Sequence, residues 1–283
     1  MANSTIFSAY NETKEKLAAA GIEDYGFEAR VIIRHITGFD SKKILLNYNS
    51  PITDFQQNAL KEITDRRVTR YPLQYILGEW EFYGRVFKVG EGVLIPRADT
   101  ETAVEAALRL IENRQNPHVL DLCAGSGVIG ITIAASREDS RVTLLEKYDE
   151  AARYLKENIT LNRAANARYI KGDVLSGDES GNKYDLIVSN PPYIKSGDMP
   201  FLQPEVGFEP ETALEGGEDG LTFYRAITEN YKKALNKGGF ICFEVGTGEA
   251  EAVCEILKNA GFADVCTQKD LSGADRVVFG TLK

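Results

Sequence analysis

The sequence is poor in the residues that build metal centres and disulfide frameworks. Its 283 residues include only two histidines and four cysteines, and no two cysteines form a C-x-x-C pair. These absences argue against a catalytic zinc and favour free, buried thiols over disulfides. No eighteen apolar residues run together, and residues 1–5 have neither the basic nor the apolar part of a secretion signal. The composition therefore predicts a cytoplasmic protein without a catalytic metal.

Positive charge is also scarce. The chain has 33 Lys and Arg against 42 Asp and Glu, and residues 1–85 hold 11 of each sign, so the whole excess of −9 falls in the remainder. Phosphate backbones repel an acidic body, so direct DNA binding is not expected. The one early basic cluster is Arg66, Arg67 and Arg70. We favour a solvated helix end over a docking patch for it.

The spacing of apolar residues changes twice along the chain. Helical spacing fills roughly the first seventy residues, where Thr53-Asp54-Phe55-Gln56 has the form of a helix capping box. Between Trp80 and Ile95 the period becomes two, which is typical of a hairpin. From about Asp99, helical and strand patterns alternate, which predicts parallel strands with crossover helices. We expect a helical domain at residues 1–78, a hairpin linker at 79–97 and an α/β domain at 98–283.

A glycine-rich turn follows the first strand of the alternating part. Glycines let the backbone approach a ligand closely, and the helix that opens after Gly127 offers N–H groups to an anion. Residues 125–130 also match Gly-x-Gly-x-x-Gly, so the spacing leaves a nicotinamide cofactor open. The candidate ligand-binding residues here are Asp121, Cys123, Ala124, Gly125, Ser126 and Gly127.

Polar residues also end the next strands. Glu146 could accept hydrogen bonds from both hydroxyls of a ribose or could simply begin a helix. Asp173, followed by Val174, could accept from an adenine amino group or cap a turn. Because ligands bind at the carboxyl ends of parallel strands, we expect Gly125, Glu146, Asp173 and Asn190 to meet in one crevice.

Asn190-Pro191-Pro192-Tyr193 is the most informative segment, because an apolar run stops abruptly at two prolines. Proline locks φ, so one amide, one prolyl carbonyl and one aromatic ring would be held rigidly, which suits a planar NH2 group. The tetrapeptide can also be ordinary loop punctuation. The loop from Pro191 to Gly220 is too long for a mere connector and is typical of a lid or binding loop.

With these motifs the chain resembles the class I S-adenosylmethionine-dependent methyltransferases. Within them it resembles the HemK/PrmC protein-(glutamine-N5) methyltransferases, which modify peptide-chain release factors. The resemblance spans nearly the full length, and its most specific segments are residues 72–78, 94–101 and 208–217. It implies a Rossmann-like, seven-stranded α/β domain, joined by a β-hairpin to a small N-terminal helical bundle that recognises the protein substrate.

The resemblance also implies roles for the candidate residues. The Asn190 side-chain oxygen and the Pro191 carbonyl would accept the two N–H bonds of a glutamine amide, with Pro192 in the same rigid loop and Tyr193 stacked on the amide plane. Adenosine would lie along Glu146, Asp173 and Val174, and the methionine part would lie near residues 123–127. Asn190 would also border the cofactor, as would Arg97, Thr100 and Glu101. The cofactor would be S-adenosylmethionine with no metal, and the protein a monomer without membrane contact.

Three departures from the family pattern are chemically mild. Cys123 stands where a glycine is frequent, which puts a positive φ there in doubt; Glu146 stands for Asp; and Ala98-Asp99 stands for Pro-Glu. Four other functions remain open from the sequence: glutamine methylation of a ribosomal protein, amino methylation of adenine or guanine in nucleic acid, non-catalytic binding of S-adenosylmethionine, and nicotinamide oxidoreduction.

Overall fold

The computed structural model describes residues 4–177 and 181–283. By its internal contacts the chain forms two compact units. One comprises the residues through Gly78 together with Gln203–Phe208, and the other comprises Glu79–Leu202 with Glu209–Lys283. The prediction of a first domain at residues 1–78 did not anticipate the segment Gln203–Phe208, because nothing in its local pattern indicates a distant partner.

The first unit is built from helices around an apolar core. The predicted capping box is confirmed: the Thr53 hydroxyl accepts from the Gln56 N–H, and the Gln56 side chain accepts from the Thr53 N–H at 2.9 Å. Leu17, Ile32 and Leu60 lie in the buried core. The short third and fifth helices were not predicted. The helices are α1 (Ile6–Ala19), α2 (Tyr25–Thr37), α3 (Ser41–Leu46), α4 (Asp54–Arg67) and α5 (Leu73–Leu77).

The basic cluster at the end of α4 is only partly solvated. The Arg67 side chain is 4% exposed and donates to Glu28 of α2 at 2.7 Å and to Glu205 at 2.9 Å. Arg70 donates to the second Glu205 oxygen at 2.8 Å. The prediction of a solvated helix end holds for the exposed Arg66. It is wrong for Arg67 and Arg70, because carboxylates distant in sequence neutralise their guanidinium groups.

The predicted hairpin is confirmed, with strands β1 (Glu79–Phe82) and β2 (Arg85–Lys88). Its two-residue turn has Tyr83 and Gly84 both at positive φ, 52° and 69°, as a turn matched to the strand twist requires. The Phe87 ring is fully buried in the same apolar cluster as helix residues of the second unit. The hairpin is thus part of the second unit.

The second unit has the predicted seven-stranded α/β sheet. The sheet strands are β3 (His118–Leu122), β4 (Arg141–Glu146), β5 (Ala167–Lys171), β6 (Tyr184–Ser189), β9 (Leu235–Glu244), β10 (Phe262–Lys269) and β11 (Asp275–Leu282). They lie side by side in the order β10-β11-β9-β6-β3-β4-β5. The helices are α6 (Glu101–Leu110), α7 (Val128–Ser136), α8 (Asp149–Leu161), α9 (Thr222–Tyr231) and α10 (Ala250–Asn259).

The parallel pattern does not extend to the last strand. β3, β4, β5, β6 and β9 pair in parallel, whereas β11 is antiparallel to both β9 and β10. Only residues 270–274 join β10 to β11, so no crossover helix can intervene. One apolar cluster includes residues of α6, α7 and α8, and another includes residues of α9 and α10, as expected for helices on both sheet faces.

The predicted loop from Pro191 to Gly220 contains two short parallel strands, β7 (Ile194–Lys195) and β8 (Glu215–Gly217). The Ile194 N–H donates to the Leu214 carbonyl at 2.8 Å, and the Ser196 N–H to the Gly217 carbonyl at 3.0 Å. These hydrogen bonds tie the two ends of the loop together. Strands this short carry no periodic signal, so the sequence could not predict them. None of the helices in the described ranges is long and apolar enough to cross a bilayer.

Candidate active site

A pocket opens at the carboxyl ends of β3, β4, β5 and β6. The predicted convergence of Gly125, Glu146, Asp173 and Asn190 is observed, since all four line it. Asp121, Cys123, Ala124, Ser126, Val174, Pro192, Arg97 and Thr100 line it as well. The predicted residues Gly127, Pro191, Tyr193 and Glu101 are not in its wall. The first three belong to the two loops that form the wall, and the Glu101 carboxylate accepts from the Tyr83 N–H at 2.8 Å.

The glycine turn adopts left-handed conformations that most residues avoid. Cys123 has φ 57°, Gly125 has φ 55° and Gly127 has φ 84°. The doubt about Cys123 is resolved: this non-glycine residue takes the positive φ, at a cost of about 1 kcal/mol. A Cβ on Gly127 would stand 2.7 Å from Ile131 Cδ1. Burial, with the Glu146 charge, raises the pKa of the Cys123 thiol and so favours the neutral thiol over the nucleophilic thiolate.

Asp121 is a buried carboxyl group with one free oxygen in the pocket wall. Its Oδ2 accepts from the Gly130 N–H at 2.8 Å, whereas its Oδ1 has no hydrogen-bond partner among the described residues. Burial raises the pKa of Asp121 to about 7; the Gly130 N–H opposes the rise and the Glu146 carboxylate adds to it. A cationic group beside Oδ1 would favour the ionised form.

Glu146 is fixed by three backbone N–H groups. Oε2 accepts from Gly125 at 2.9 Å, and Oε1 accepts from Lys147 at 2.8 Å and Tyr148 at 2.9 Å. A carboxylate offers roughly four lone-pair directions, so capacity remains for a further donor such as a ribose hydroxyl. The bond from Gly125 also holds the glycine turn against the end of β4.

Asp173 caps a turn and forms an ion pair at the pocket edge. Oδ1 accepts from the Leu175 N–H at 2.9 Å, and Oδ2 lies 2.8 Å from Lys147 Nζ. Burial raises the pKa of Asp173, but these two donors outweigh it and hold the pKa below its ordinary value. The turn-capping alternative is therefore realised, and the ionised carboxylate still lines the pocket.

Asn190 leaves β6 at the pocket with its side chain oriented by a neighbour. Its Nδ2 donates to Thr100 Oγ1 at 3.5 Å, which leaves Oδ1 as an acceptor for another donor. Pro191 and Pro192 are buried. Burial is the main reason that the pKa of Tyr193 rises to about 12, so the ring stays neutral. Just before the loop, Ser189 Oγ donates to the Leu122 carbonyl at 2.7 Å and joins the ends of β6 and β3.

Glu209 is a site residue to which the sequence assigned no role. Its carboxylate is buried, and it accepts from the Ile95 N–H at 2.8 Å and from the Arg97 guanidinium. This fixes the start of a segment whose Pro210, Thr212 and Ala213 line the pocket. The sequence did contain a signal for this contact, because Glu209 and its partners Ile95 and Arg97 lie in two of the segments most specific to the resemblance. Only the structure shows that these two segments meet.

Comparison with known proteins identifies both parts of the chain. A family model of the PrmC N-terminal domain matches residues 8–78, and one of the methyltransferase small domain matches residues 96–202. A Thermodesulfovibrio yellowstonii protein named release factor glutamine methyltransferase is 42% identical over 89% of this chain and 90% of its own length. Proteins of the same name from Clostridium acetobutylicum and Fusobacterium nucleatum are 39% and 37% identical, over 96% and 95% of this chain and 95% and 77% of their own lengths.

Solved structures share the fold at lower identity. The hMettl16 catalytic domain, in complex with the MAT2A 3'UTR hairpin 6, has a TM-score of 0.57 at 16% identity over 71% of this chain and 77% of its own. A Pyrococcus furiosus methyltransferase has a TM-score of 0.51 at 19% identity over 70% of this chain and 89% of its own. The predicted fold class is confirmed, as is the enzyme class of S-adenosylmethionine-dependent methyltransferase. The chain belongs to the family of release factor glutamine methyltransferases.

Proposed function

We propose that this enzyme methylates the side-chain amide nitrogen of the glutamine in the Gly-Gly-Gln motif of peptide-chain release factors, with S-adenosylmethionine as donor. The observation that carries the proposal is the position of the Asn190–Tyr193 loop, whose Asn190 and Pro192 line the same pocket as the Glu146 and Asp173 carboxylates. The Asn190 side chain donates through Nδ2 to Thr100, which leaves its oxygen as an acceptor. The name and length of the curated relatives support the same reaction. Modulation of translation termination would follow from the change at that glutamine.

The residues of the pocket fit S-adenosylmethionine. The free Oδ1 of Asp121 suits the ammonium group of the methionine part, and the glycine turn has no room for a Cβ at Gly127. Glu146 and Asp173 offer acceptors for ribose and adenine. When bound, this donor supplies an electrophilic methyl group. Among the described residues no group of three His, Cys, Asp or Glu could hold a metal ion.

The chain's own residues contribute position rather than strong base chemistry. A glutamine amide is a poor nucleophile, because its nitrogen lone pair is delocalised into the carbonyl. In our proposal Asn190 Oδ1 and the Pro191 carbonyl accept its two N–H bonds, and Tyr193 stacks on its plane. Such alignment removes an entropic part of the barrier, on the order of 7–11 kcal/mol in ideal cases. The nitrogen loses a proton once it is methylated.

We further propose that residues 1–78 act as the substrate-recognition domain, that 79–97 is a linking hairpin and that 98–283 is catalytic. Balanced charge in the first part suits recognition of a protein. Its surface carries large exposed apolar side chains, with Leu45 74%, Leu46 76% and Phe55 82% exposed. Leu45 and Leu46 are neighbours in sequence, and contiguous exposed apolar surface is typical of protein interaction sites. Cytoplasmic location, the monomeric state and the absence of direct DNA binding stay predictions.

The proposed function is tested by incubation with S-adenosylmethionine labelled in its methyl group. The acceptors are a purified release factor, its variant with Gln replaced by Ala in the Gly-Gly-Gln loop, a ribosomal protein fraction and nucleic acid. We expect label on the unmodified release factor alone. Label on the Ala variant would overturn the substrate assignment, and label on the ribosomal fraction or nucleic acid alone would replace it.

Asp121 gives a prediction for donor binding. A pKa of about 7 means that the carboxyl group becomes protonated as the pH falls below 7, and a neutral acid attracts an ammonium group less. Affinity for S-adenosylmethionine should therefore weaken from pH 8 to pH 6. Asp121→Asn should weaken it about tenfold or more at pH 8 and remove this pH dependence. Calorimetric titration measures both effects.

The control is Asp264→Asn, which changes an exposed carboxylate in β10. It should bind the donor as the unmodified protein does at both pH values. If Asp121→Asn bound equally well and kept the pH dependence, the assignment of Asp121 to the donor's ammonium group would be wrong.

A further inference from the structure

Glu244, the last residue of β9, is a buried carboxyl group that the proposed reaction does not use. It is 1% exposed, and its Oε2 has no hydrogen-bond partner among the described residues. Within those residues it also takes part in no ion pair. A buried carboxyl group left this poorly satisfied is costly, so its position calls for a functional explanation.

A hydroxyl group connects Glu244 to the active site. The Thr100 side chain lies beside the Glu244 carboxyl group and acts to lower its pKa. The Thr100 Oγ1 accepts from Asn190 Nδ2 at 3.5 Å. Thr100 is itself 2% exposed, so it is buried between the two groups. Glu244, Thr100 and Asn190 therefore follow one another in a row that ends at Asn190.

The chemistry of the three groups sets the direction of this row. An ionised carboxylate can only accept, so the Thr100 hydroxyl proton points to Glu244. Oγ1 then offers Asn190 only a lone pair, which selects the NH2 side of the Asn190 amide and leaves Oδ1 on the other side. We propose that Glu244 is a positioning residue. It acts through Thr100 and fixes the Asn190 amide so that the amide oxygen faces the substrate N–H, and this role rests on the proposed function.

The surroundings keep Glu244 from being neutralised by a direct ion pair. Arg276 of β11 is the cation that lowers the pKa of Glu244 most. Its guanidinium group, however, donates to Asp99 at 3.2 Å, to Asp270 at 3.1 Å and to the Val245 carbonyl at 3.2 Å. Arg97 and Asp99, which precede α6, also act on Glu244 through their charges. The Glu244 carboxylate in turn raises the pKa of the Tyr193 and Tyr224 hydroxyls, which stay neutral. Burial raises the pKa of Glu244 to about 7, against the effects of Thr100 and Arg276.

Protonation of Glu244 should undo the orientation. A neutral carboxyl group can donate to Thr100 Oγ1, which frees the Thr100 proton to turn toward Asn190. The Thr100 proton would then donate to the Asn190 oxygen, so the Asn190 amide would turn its NH2 group toward the substrate. The Asn190 NH2 group and the substrate NH2 group are both donors and would repel each other. At saturating donor, kcat should therefore fall as the pH drops below about 7.

Kinetics with variants of the full chain test the positioning role. Thr100→Val should lower kcat on the order of tenfold with unchanged affinity for S-adenosylmethionine, and Thr100→Ser should restore kcat. Glu244→Gln should remove the acid limb of the kcat profile. The matched control is Glu249→Gln, since burial also raises the pKa of Glu249 to about 7; this variant should keep the limb.

A spectroscopic measurement makes the test independent of any substrate. The side-chain NH2 signals of Asn190 in a ¹⁵N–¹H spectrum, identified by their loss in Asn190→Asp, should shift with a midpoint near pH 7. Glu244→Gln should abolish that shift. The proposal is overturned if the shift is missing or persists in Glu244→Gln, or if Thr100→Val keeps full kcat or loses donor affinity as much as kcat. If the unmodified enzyme shows the shift but transfers no label to a release factor, the substrate assignment is refuted and the positioning role of Glu244 is not.

Discussion

Replacing Asn190 by alanine should lower kcat about 10²–10³-fold, the size found when one preorganised hydrogen-bonding group is removed from a transition state. Asn190 directly follows β6 at the pocket and its Nδ2 donates to Thr100, and in our proposal its oxygen holds the substrate amide. Affinity for S-adenosylmethionine should change little, because Asp121, Glu146 and Asp173 remain. Single-turnover kinetics and donor titration give the two quantities separately.

Asn259→Ala is the control for this prediction, since it removes an exposed asparagine at the end of α10. Its kcat and donor affinity should match those of the unmodified enzyme. Equal losses of kcat and donor affinity in Asn190→Ala would mean that Asn190 is mainly a cofactor ligand, and the proposed orientation of the substrate amide would then be abandoned.

Gly216→Ala should lower kcat on the order of 100-fold through the backbone alone. A Cβ at Gly216 would stand 2.6 Å from Tyr193 Cα and 2.8 Å from the carbonyl oxygens of Pro192 and Gly220. No side-chain rotation can relieve contacts with backbone atoms, so the Asn190–Tyr193 loop must shift. A displacement near 1 Å at an attack geometry is enough for a loss of this size. Rapid-quench measurement of methyl transfer at saturating donor reports it.

The same long loop supplies the control, Gly197→Ala. A Cβ at Gly197 meets no atom within 4 Å, and its φ lies outside the left-handed region. This variant should keep both kcat and donor affinity. If Gly216→Ala also kept kcat, the tetrapeptide would not need the backbone position that β8 imposes on it. A loss of donor affinity equal to the loss of kcat would instead indicate general disruption of the pocket.

Local sequence patterns predicted the sheet and the polar residues at the carboxyl ends of its parallel strands well. The first strand of the alternating part ends at Leu122, directly before the predicted glycine turn, and the carboxyl ends of the parallel strands do carry Glu146, Asp173 and Asn190 at one pocket. These predictions depend on apolar periodicity and on strand-end geometry, which are properties of neighbouring residues and of parallel sheets in general. The capping box at Thr53 is predictable for the same reason.

Contacts between distant parts of the chain were not predictable. Arg67 seemed a solvated cation until Glu28 and Glu205 were found beside it. The role of Glu209 in fixing the pocket wall became evident only from its contacts with the Ile95 N–H and the Arg97 guanidinium. In each case the partner lies far away in sequence, and neither periodicity nor composition encodes such a pairing.

By itself the sequence determined the α/β class, the family and most of the polar residues that line the pocket, because motifs and alternating periodicity are local properties. Only the tertiary structure decided what Asn190 contacts. Folding alone brings a hydroxyl from the start of α6 to the Asn190 amide, and in our proposal a carboxyl group from the end of β9 acts through that hydroxyl. Burial then raises the pKa of that carboxyl group to about 7, a value that no sequence position specifies.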